Sequence, residues 1–494
     1  MRTQSRVVER VIKKNLMPPV RSAHVKILQI KTNGSALLEA AVKDDLMSTW
    51  KFETLSLHGG QKADPVTGSR AVPIYQTSSF VFQSPEQAAG LFNNAPEVWA
   101  PRLTPAGGDP QAGGFPSQDS GNIYTRIMNP TTDVLEARMS LLEGGAGALA
   151  VSSGSAAVTM AVMNICRSGD HIVSSQSLYG GTHHLFEQTL PQYGISVSFF
   201  PSHRPDLAAE AISENTKCVF AETVGNPSLD TPDLERLAEV AHQHRIPLIV
   251  DNTVPTPYLC RPIESGADIV VHSLTKFCGG HGTTIGGVIV DSGRFPWQDS
   301  DRFPMLTQGQ PSGSAPSWVD AVGAGAYIIK ARSTLLRDMG ACISPFNSFL
   351  ILQGLETLSV RMERHCENGL HAARFLEAHP KVGWVLYPGL PGHPTHEMAK
   401  RYLKHGFTAM IGFGIKGGLQ AGQRFISRLK LISHLANIGD AKTLAIHPAS
   451  TTHSLLTPEE QEQAGLSPDF IRLSIGLEHI DDILQDLEQA LDQA

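Results

Sequence analysis

The chain has 494 residues, of which 41% are hydrophobic, and a formal net charge of −7. That length suits about two or three domains with a sizeable core, and the charge implies neither a basic surface for nucleic acid nor an acidic tail. No apolar run reaches the roughly 18 residues that a membrane span needs, and the six cysteines never fall in Cys-x-x-Cys spacing. Free thiols in a reducing cytoplasm are therefore expected, with no disulfide framework, no metal site, and a small-molecule partner rather than a nucleic acid or a membrane.

Residues 1–46 stand apart, with Arg2, Arg6, Arg10, Lys13, Lys14, Arg21, Lys26 and Lys31 but few acids. A transit peptide has this bias, yet serines are few and Asp44 and Asp45 follow, so a dispensable extension is expected, with Met47 as the first residue of the functional unit. Residues 47–120 read as an amino-terminal arm. From Thr54 to Phe82 the chain carries Gly59, Gly60, Pro65, Gly68 and Pro73 and little helical periodicity, which predicts an extended segment lying over another surface. Residues 93–120 form a proline- and glycine-rich insert, and loops of that length inside a domain are usually functional or disordered.

Within 121–340 short apolar runs alternate with amphipathic segments of helical length. The candidate strands are Ala148–Ser152, His171–Ser175, Ser196–Phe200, Cys218–Glu222, Leu248–Asn252, Ile269–His272 and Val288–Asp291. That alternation predicts βαβ units and a mostly parallel sheet in an α/β large domain. Residues 341–494 predict a smaller α+β domain: a long helix over about 346–378, strands at 383–386, 408–415 and 471–474, and a last helix over 480–492.

The residues with chemistry in them fall at the ends of these strands, where sites of open α/β sheets lie. Ser153, Gly154 and Ser155 follow a strand and open a helix, so backbone N–H groups and small side chains there can cradle an anion. Tyr179, in Leu178-Tyr-Gly-Gly-Thr182, offers an aromatic face to a flat cofactor. Asn226 can hydrogen-bond a ring hydroxyl. Asp251 is an acid at a buried strand end, a costly position that a protonated pyridinium nitrogen would relieve. Lys276 follows the apolar run 269–271, with Ser273 and Thr275 beside it; desolvation makes such an amine nucleophilic and able to form a Schiff base, while the hydroxyls suit a phosphate. Taken singly these residues also fit turns, caps and sheet edges. In this order they make an anion cup, a ring stack, a ring hydrogen bond, a pyridinium partner and a Schiff-base lysine.

Five segments then carry a resemblance: Gly121-Asn-Ile-Tyr-Thr-Arg-Ile-Met-Asn-Pro-Thr131, Leu178–Thr182, His272-Ser-Leu-Thr-Lys276, His447-Pro-Ala-Ser-Thr-Thr-His453 and Ile471-Arg-Leu-Ser-Ile-Gly-Leu-Glu478. From about Trp50 onward the chain resembles the Cys/Met-metabolism family of enzymes dependent on pyridoxal 5′-phosphate (PLP). The resemblance implies the type I, aspartate-aminotransferase-like fold and a homotetramer built as a dimer of dimers with shared active sites. It implies that Tyr124 and Arg126 reach the cofactor phosphate of a neighbouring subunit, joining that subunit's residues at positions 154, 155, 273 and 275, with Tyr124 also near the substrate. Arg472 matches the arginine that takes the substrate α-carboxylate, a bidentate task suited to a guanidinium, and Asn437 falls where relatives assist it.

Within the family, γ-lyases usually carry Cys where this chain has Gly181. The run Thr275–Gly287, with Gly225-Asn-Pro and Leu435-Ala-Asn-Ile-Gly-Asp440, is similar to O-acetylhomoserine sulfhydrylases. The expected reaction is γ-replacement of acetate by sulfide or methanethiol, with Lys276, Tyr179 and Asp251 as the catalytic residues. Cystathionine γ-synthase, O-succinylhomoserine sulfhydrylase and γ-lyase remain the alternatives. Where the family usually has methionine or glutamine this chain has Ser155, and Asp251-Asn-Thr-Val-Pro255 departs from the usual sequence. The 93–120 insert is longer than the family's connection and is expected to border a neighbour's active-site mouth.

Overall fold

The apolar runs between residues 147 and 291 become one seven-stranded sheet in the computed structural model, which describes residues 50–92, 121–309, 316–452 and 466–494. The extension 1–46 and the insert 93–120 lie outside the described residues. The strands are β1 (Gly147–Val151), β2 (His171–Ser175), β3 (Ser196–Phe200), β4 (Thr216–Glu222), β5 (Leu248–Asp251), β6 (Ile269–Ser273) and β7 (Gly287–Asp291). Their order is β1-β7-β6-β5-β4-β2-β3. The run from β6 to β3 is parallel, while β7 is antiparallel to both its neighbours. The central strands are buried along almost their whole length, as a sheet covered on both faces requires; this is why Val219, Phe220, Ala221 and Ile249, Val250 are apolar without alternation.

Helices supply the cover. Among them, α1 (Phe52–His58) packs on α2 (Pro130–Glu143), which lies against β1, and α3 (Gly154–Met163) lies against β6 and β7. Asn129 caps α2 through Thr131 N–H, with Pro130 at the first helical position, where its missing donor costs nothing. The short α4 (Gly180–His184) follows β2. The expected long helix at 346–378 is two helices, α5 (Pro345–Glu356) and α6 (Leu358–Ala378). The break has a local cause. The Gly354 carbonyl accepts from Thr357 N–H at 3.3 Å and from Arg361 Nη2 at 2.7 Å, so it is diverted from the next turn.

A second sheet joins β8 (Val382–Leu386), β9 (Met410–Ile415), β10 (Ser433–His434), β11 (Leu444–Ile446) and β12 (Phe470–Ser474) in the order β10-β11-β12-β9-β8. Three of its four pairings are antiparallel, β10 with β11 being parallel. It packs against α6 and α7 (Gly418–Arg428), and α8 (Ile480–Asp492) packs on those two helices. A mostly parallel sheet beside a smaller mixed one agrees with the expected α/β class and type I arrangement.

Differences from the sequence reading are local. Residues 52–58 are helical where an extended arm was expected, and Pro85–Phe92 forms another helix. The extended part between them lies on the chain's own α2: Thr131 Oγ1 donates to Pro73 O at 2.7 Å and Asn129 Nδ2 to Tyr75 O at 2.8 Å. All six cysteines are free, although Cys342 is only half-buried. No helix among the described residues is long and apolar enough to cross a membrane.

One close approach locks the first sheet to α3. A Cβ on Gly287, the first residue of β7, would lie 2.0 Å from Ser153 O and 2.4 Å from its carbonyl carbon. Both are backbone, so neither can swing aside. Gly287→Ala is expected to cost about 1–3 kcal/mol, as overpacked cores do. Differential scanning calorimetry should show a lowered melting temperature, whereas Gly392→Ala, with no atom within 4 Å of the added carbon, should leave it unchanged.

Candidate active site

Parallel pairing brings three strand ends to one edge of the sheet. Glu222 ends β4 directly opposite Asp251, which ends β5, and Asp251 lies opposite Val271 on β6. Lys276 follows the end of β6 by three residues. The sequence reading is met at this level: Asp251, Lys276, Ser273 and the start of α3 share the carboxyl edge of the sheet.

The floor is acidic. Asp251 accepts from Thr253 N–H at 2.9 Å, and burial pushes its carboxyl above the usual carboxylate range, an effect opposed by the Thr253 hydrogen bonds and the charge of His272. Among the described residues no lysine or arginine forms an ion pair with it. Behind it His272 Nε2 donates to Glu143 Oε1 at 2.6 Å, and Asn252 Nδ2 donates to the same oxygen at 2.9 Å. Glu143, Asn252 and His272 are all fully buried, so this polar cluster fixes the ends of β5 and β6 from below.

Lys276 is held by residues from the second sheet. Its Nζ donates to Asn437 Oδ1 at 2.6 Å, and its pKa is lowered, first by burial and then by the positive charge of Arg472. The loop carrying Asn437 is strapped down on both sides: Gly439 N–H donates to Ser474 Oγ at 2.9 Å, and Ala441 N–H to Gly280 O at 2.9 Å. Gly439 has φ of 70° and its missing Cβ would lie 2.5 Å from Phe277 N, so this position requires glycine for conformation and for space. Arg472, on β12, also has a lowered pKa through burial, partly offset by the phenol of Tyr179. Lys276, Asn437, Arg472 and Tyr179 thus form one electrostatic group.

At the other end, the start of α3 lies flat on β6. A Cβ on Gly154 would sit 2.5 Å from Ser273 Cβ and 3.0 Å from Ser273 Oγ. Ser153 caps the helix by accepting from Ala156 N–H at 3.1 Å, and Ser155 is exposed in the first turn. The result is a cradle of helix-start amides and the Ser273 hydroxyl, which fits a phosphate. The Thr275 hydroxyl is engaged by the Gly286 backbone, donating to O at 3.2 Å and accepting from N–H at 3.1 Å. Asn226 is half-buried beyond the end of β4.

Tyr179 N–H donates to Glu222 Oε1 at 2.6 Å, while its ring is exposed. The ring covers Gly181, where a Cβ would fall 2.5 Å from Tyr179 Cε1. The glycine that distinguishes this chain from lyase-like sequences therefore leaves room for the phenol. Tyr124 and Arg126 are not brought to this cluster. Tyr124 bridges Ser79 and is exposed, and Arg126 lies by the Tyr124 ring and donates to Arg337 O.

Two contributors escaped the sequence reading. Glu222 ends a predicted strand, with no role assigned to it there. Arg361, in the first turn of α6, looks like a surface charge, yet it is buried and donates to Phe277 O at 2.7 Å and Cys278 O at 3.2 Å, fixing the chain just after Lys276. Elsewhere His379, Glu488 and Asp492 have ligand atoms within 4.8 Å of one another. Glu488 and Asp492 are exposed, and exposed acidic groups commonly cluster in this way without a metal.

The donor set fits PLP: a half-buried carboxylate without a cation, a desolvated lysine and a phosphate-sized cradle. The sequence pattern of the Cys/Met metabolism PLP-dependent enzymes matches residues 53–492. The chain belongs to that family. It is 50% identical over 457 residues to the O-acetyl-L-homoserine sulfhydrylase of Leptospira meyeri, covering 91% of this chain and 98% of the relative. It is also 50% identical over 445 residues to the homocysteine synthase of Schizosaccharomyces pombe, covering 90% and 98%. A Campylobacter jejuni crystal structure of O-acetylhomoserine (thiol)-lyase type, containing an N′-pyridoxyl-lysine-5′-monophosphate, superposes with a TM-score of 0.81 at 38% identity, covering 90% of this chain and all of that one.

The electrostatics of this family site can be checked directly. Arg472 helps to hold the Lys276 pKa down, so Arg472→Leu should raise it. The pH at which cofactor-free protein reacts half-maximally with PLP should then move upward, followed by stopped-flow absorbance. A downward or absent movement would contradict the arrangement.

Proposed function

We propose that the chain replaces the acetate of O-acetyl-L-homoserine with sulfide, or with methanethiol, giving L-homocysteine or methionine. The observation that carries this reading is the grouping of a desolvated Lys276, hydrogen-bonded to Asn437, with Arg472 on one side and the half-buried Asp251 on the adjoining strand. The relatives at 50% identity support the choice of substrate.

When bound, PLP supplies an electron-accepting ring conjugated to the substrate nitrogen. Lys276 provides the amine that attaches it, and once freed by the substrate the same amine moves protons at Cα and Cβ; its lowered pKa keeps a larger neutral fraction near pH 7 than an exposed lysine has. Asp251 faces the ring nitrogen with negative charge and Asn226 hydrogen-bonds the ring hydroxyl. Tyr179 covers the ring and acts as a second proton carrier. Ser153, Gly154, Ser155, Ser273 and Thr275 take the phosphate, Thr275 by turning its hydroxyl from Gly286. Arg472 takes the α-carboxylate, oriented by Asn437. In the balanced reaction the Cγ–O bond breaks with its electron pair on acetate, and the sulfur of sulfide forms the new bond to Cγ as its proton is released.

Tyr124 and Arg126, placed away from their own Lys276 cluster, complete the phosphate site of a neighbouring chain in a homotetramer of two tight dimers. Residues 121–340 serve as the cofactor-binding domain and 341–494 as the smaller one; the protein acts in the cytoplasm. Residues 1–46 are dispensable to the activity.

The test is O-acetylhomoserine plus sulfide with the purified protein, assaying homocysteine, acetate and 2-oxobutanoate together. Homocysteine and acetate in equal amounts, dependent on sulfide, are expected. Release of 2-oxobutanoate from methionine without added thiol would move the reading to a γ-lyase, and turnover of the succinyl ester alone to a succinyl-specific relative. Light scattering should give about four times the chain mass of 53.2 kDa.

A further inference from the structure

The floor of the site holds a second carboxyl that the proposed reaction leaves without a task. Glu222 ends β4 in register with Asp251, so the two side chains leave the sheet on the same face from adjacent strands, and Glu222 is buried. On its other side β2 is paired with β4 only as far as Ser174 opposite Phe220, and the loop after β2 brings the Tyr179 N–H to Glu222 Oε1 at 2.6 Å. Asp251 and the Tyr179 main chain are thus what face Glu222 from the elements packed on it; His272 lies behind Asp251, and Lys276 and Arg472 lie beyond.

We propose that Glu222 is a positioning residue that serves as a neutral acid: it anchors the main chain of Tyr179 over the cofactor and leaves Asp251 as the single negative charge in the floor. Two carboxyls on neighbouring strands, one buried and one half-buried, do not both ionise readily, because each raises the cost of charging the other. The structure distinguishes them. Asp251 has the Thr253 hydrogen bonds and the His272 charge to favour its anion, whereas Glu222 has one backbone N–H; burial and the neighbouring Asp251 hold its pKa well above the usual range. The neutral acid still accepts from Tyr179 through one oxygen. Because α4 begins immediately after Tyr179, that bond also sets where the helix starts and where the ring falls over Gly181.

This inference rests on the PLP reading, and the experiment separates the two. Wild type, Glu222→Leu and Glu222→Gln are reconstituted with PLP, and cofactor affinity and the pH titration of the bound chromophore are measured. Glu222→Leu should bind PLP about tenfold more weakly, the worth of one buried hydrogen bond, with a displaced titration midpoint. Glu222→Gln keeps a neutral acceptor and should rescue both. Weak binding and a displaced midpoint in Glu222→Gln would show that the ionised carboxylate is needed and overturn the proposal, as would a folded Glu222→Leu protein indistinguishable from wild type. If Glu222→Leu does not fold, the Glu222→Gln result decides alone. Failure of the wild type to bind PLP would instead remove the underlying reading.

Discussion

The in-register parallel pairing of β4, β5 and β6 is the constraint on which the rest of the site depends. Parallel strands fed from one side release their chains at the same edge, so Glu222, Asp251 and the turn leading to Lys276 emerge together. A slip of one residue in β5 would turn Asp251 to the opposite face and bring Asn252, which bonds Glu143 beneath the sheet, to the top. Register and charge placement are therefore one problem. The buried Glu143–His272–Asn252 cluster opposes such a slip from below, since its hydrogen bonds form only in the observed alignment.

The second sheet supplies what the first lacks. The edge formed by β4 to β6 carries two acids and a lysine but no group to hold that lysine in place or to receive an anionic substrate. Asn437 and Arg472 come from the loop after β10 and from β12, and the strap through Gly439 and Ala441 binds that loop to the backbone around Lys276. Arg361 reaches the same turn from α6. The lysine is thereby fixed from three directions while its side chain stays partly accessible, a combination suited to a group that must bond covalently and later release.

Much of this was legible in the sequence. The strands ending at Glu222 and Asp291 stand out as short apolar runs and those ending at Ser175 and Phe200 as apolar residues mixed with serine, and Asp251 and Lys276 are conspicuous because charge is expensive at the end of a buried run. The helix start at Ser153 was legible from its capping residue. What escaped has physical reasons. Strands β10 and β11, of two and three residues, are too short to show a period. The break between α5 and α6 involves the bond from Arg361 to Gly354 O seven residues earlier, and a charge within a predicted helix gives no sign of whether it faces water or a backbone carbonyl. Glu222 stands at a predicted strand end, but that Asp251 falls directly opposite it depends on the register of the neighbouring strand, which the sequence does not show. The steric role of Gly181 depends on a ring only two residues away whose rotamer no pattern encodes.

The central claim is that Lys276 is the group that binds the cofactor. It is tested most directly by reducing the PLP-loaded protein with borohydride and mapping the modified peptide by mass spectrometry. The account predicts a phosphopyridoxyl group on Lys276, and none on a folded Lys276→Ala protein. A label on another lysine, or one retained by Lys276→Ala, would contradict it.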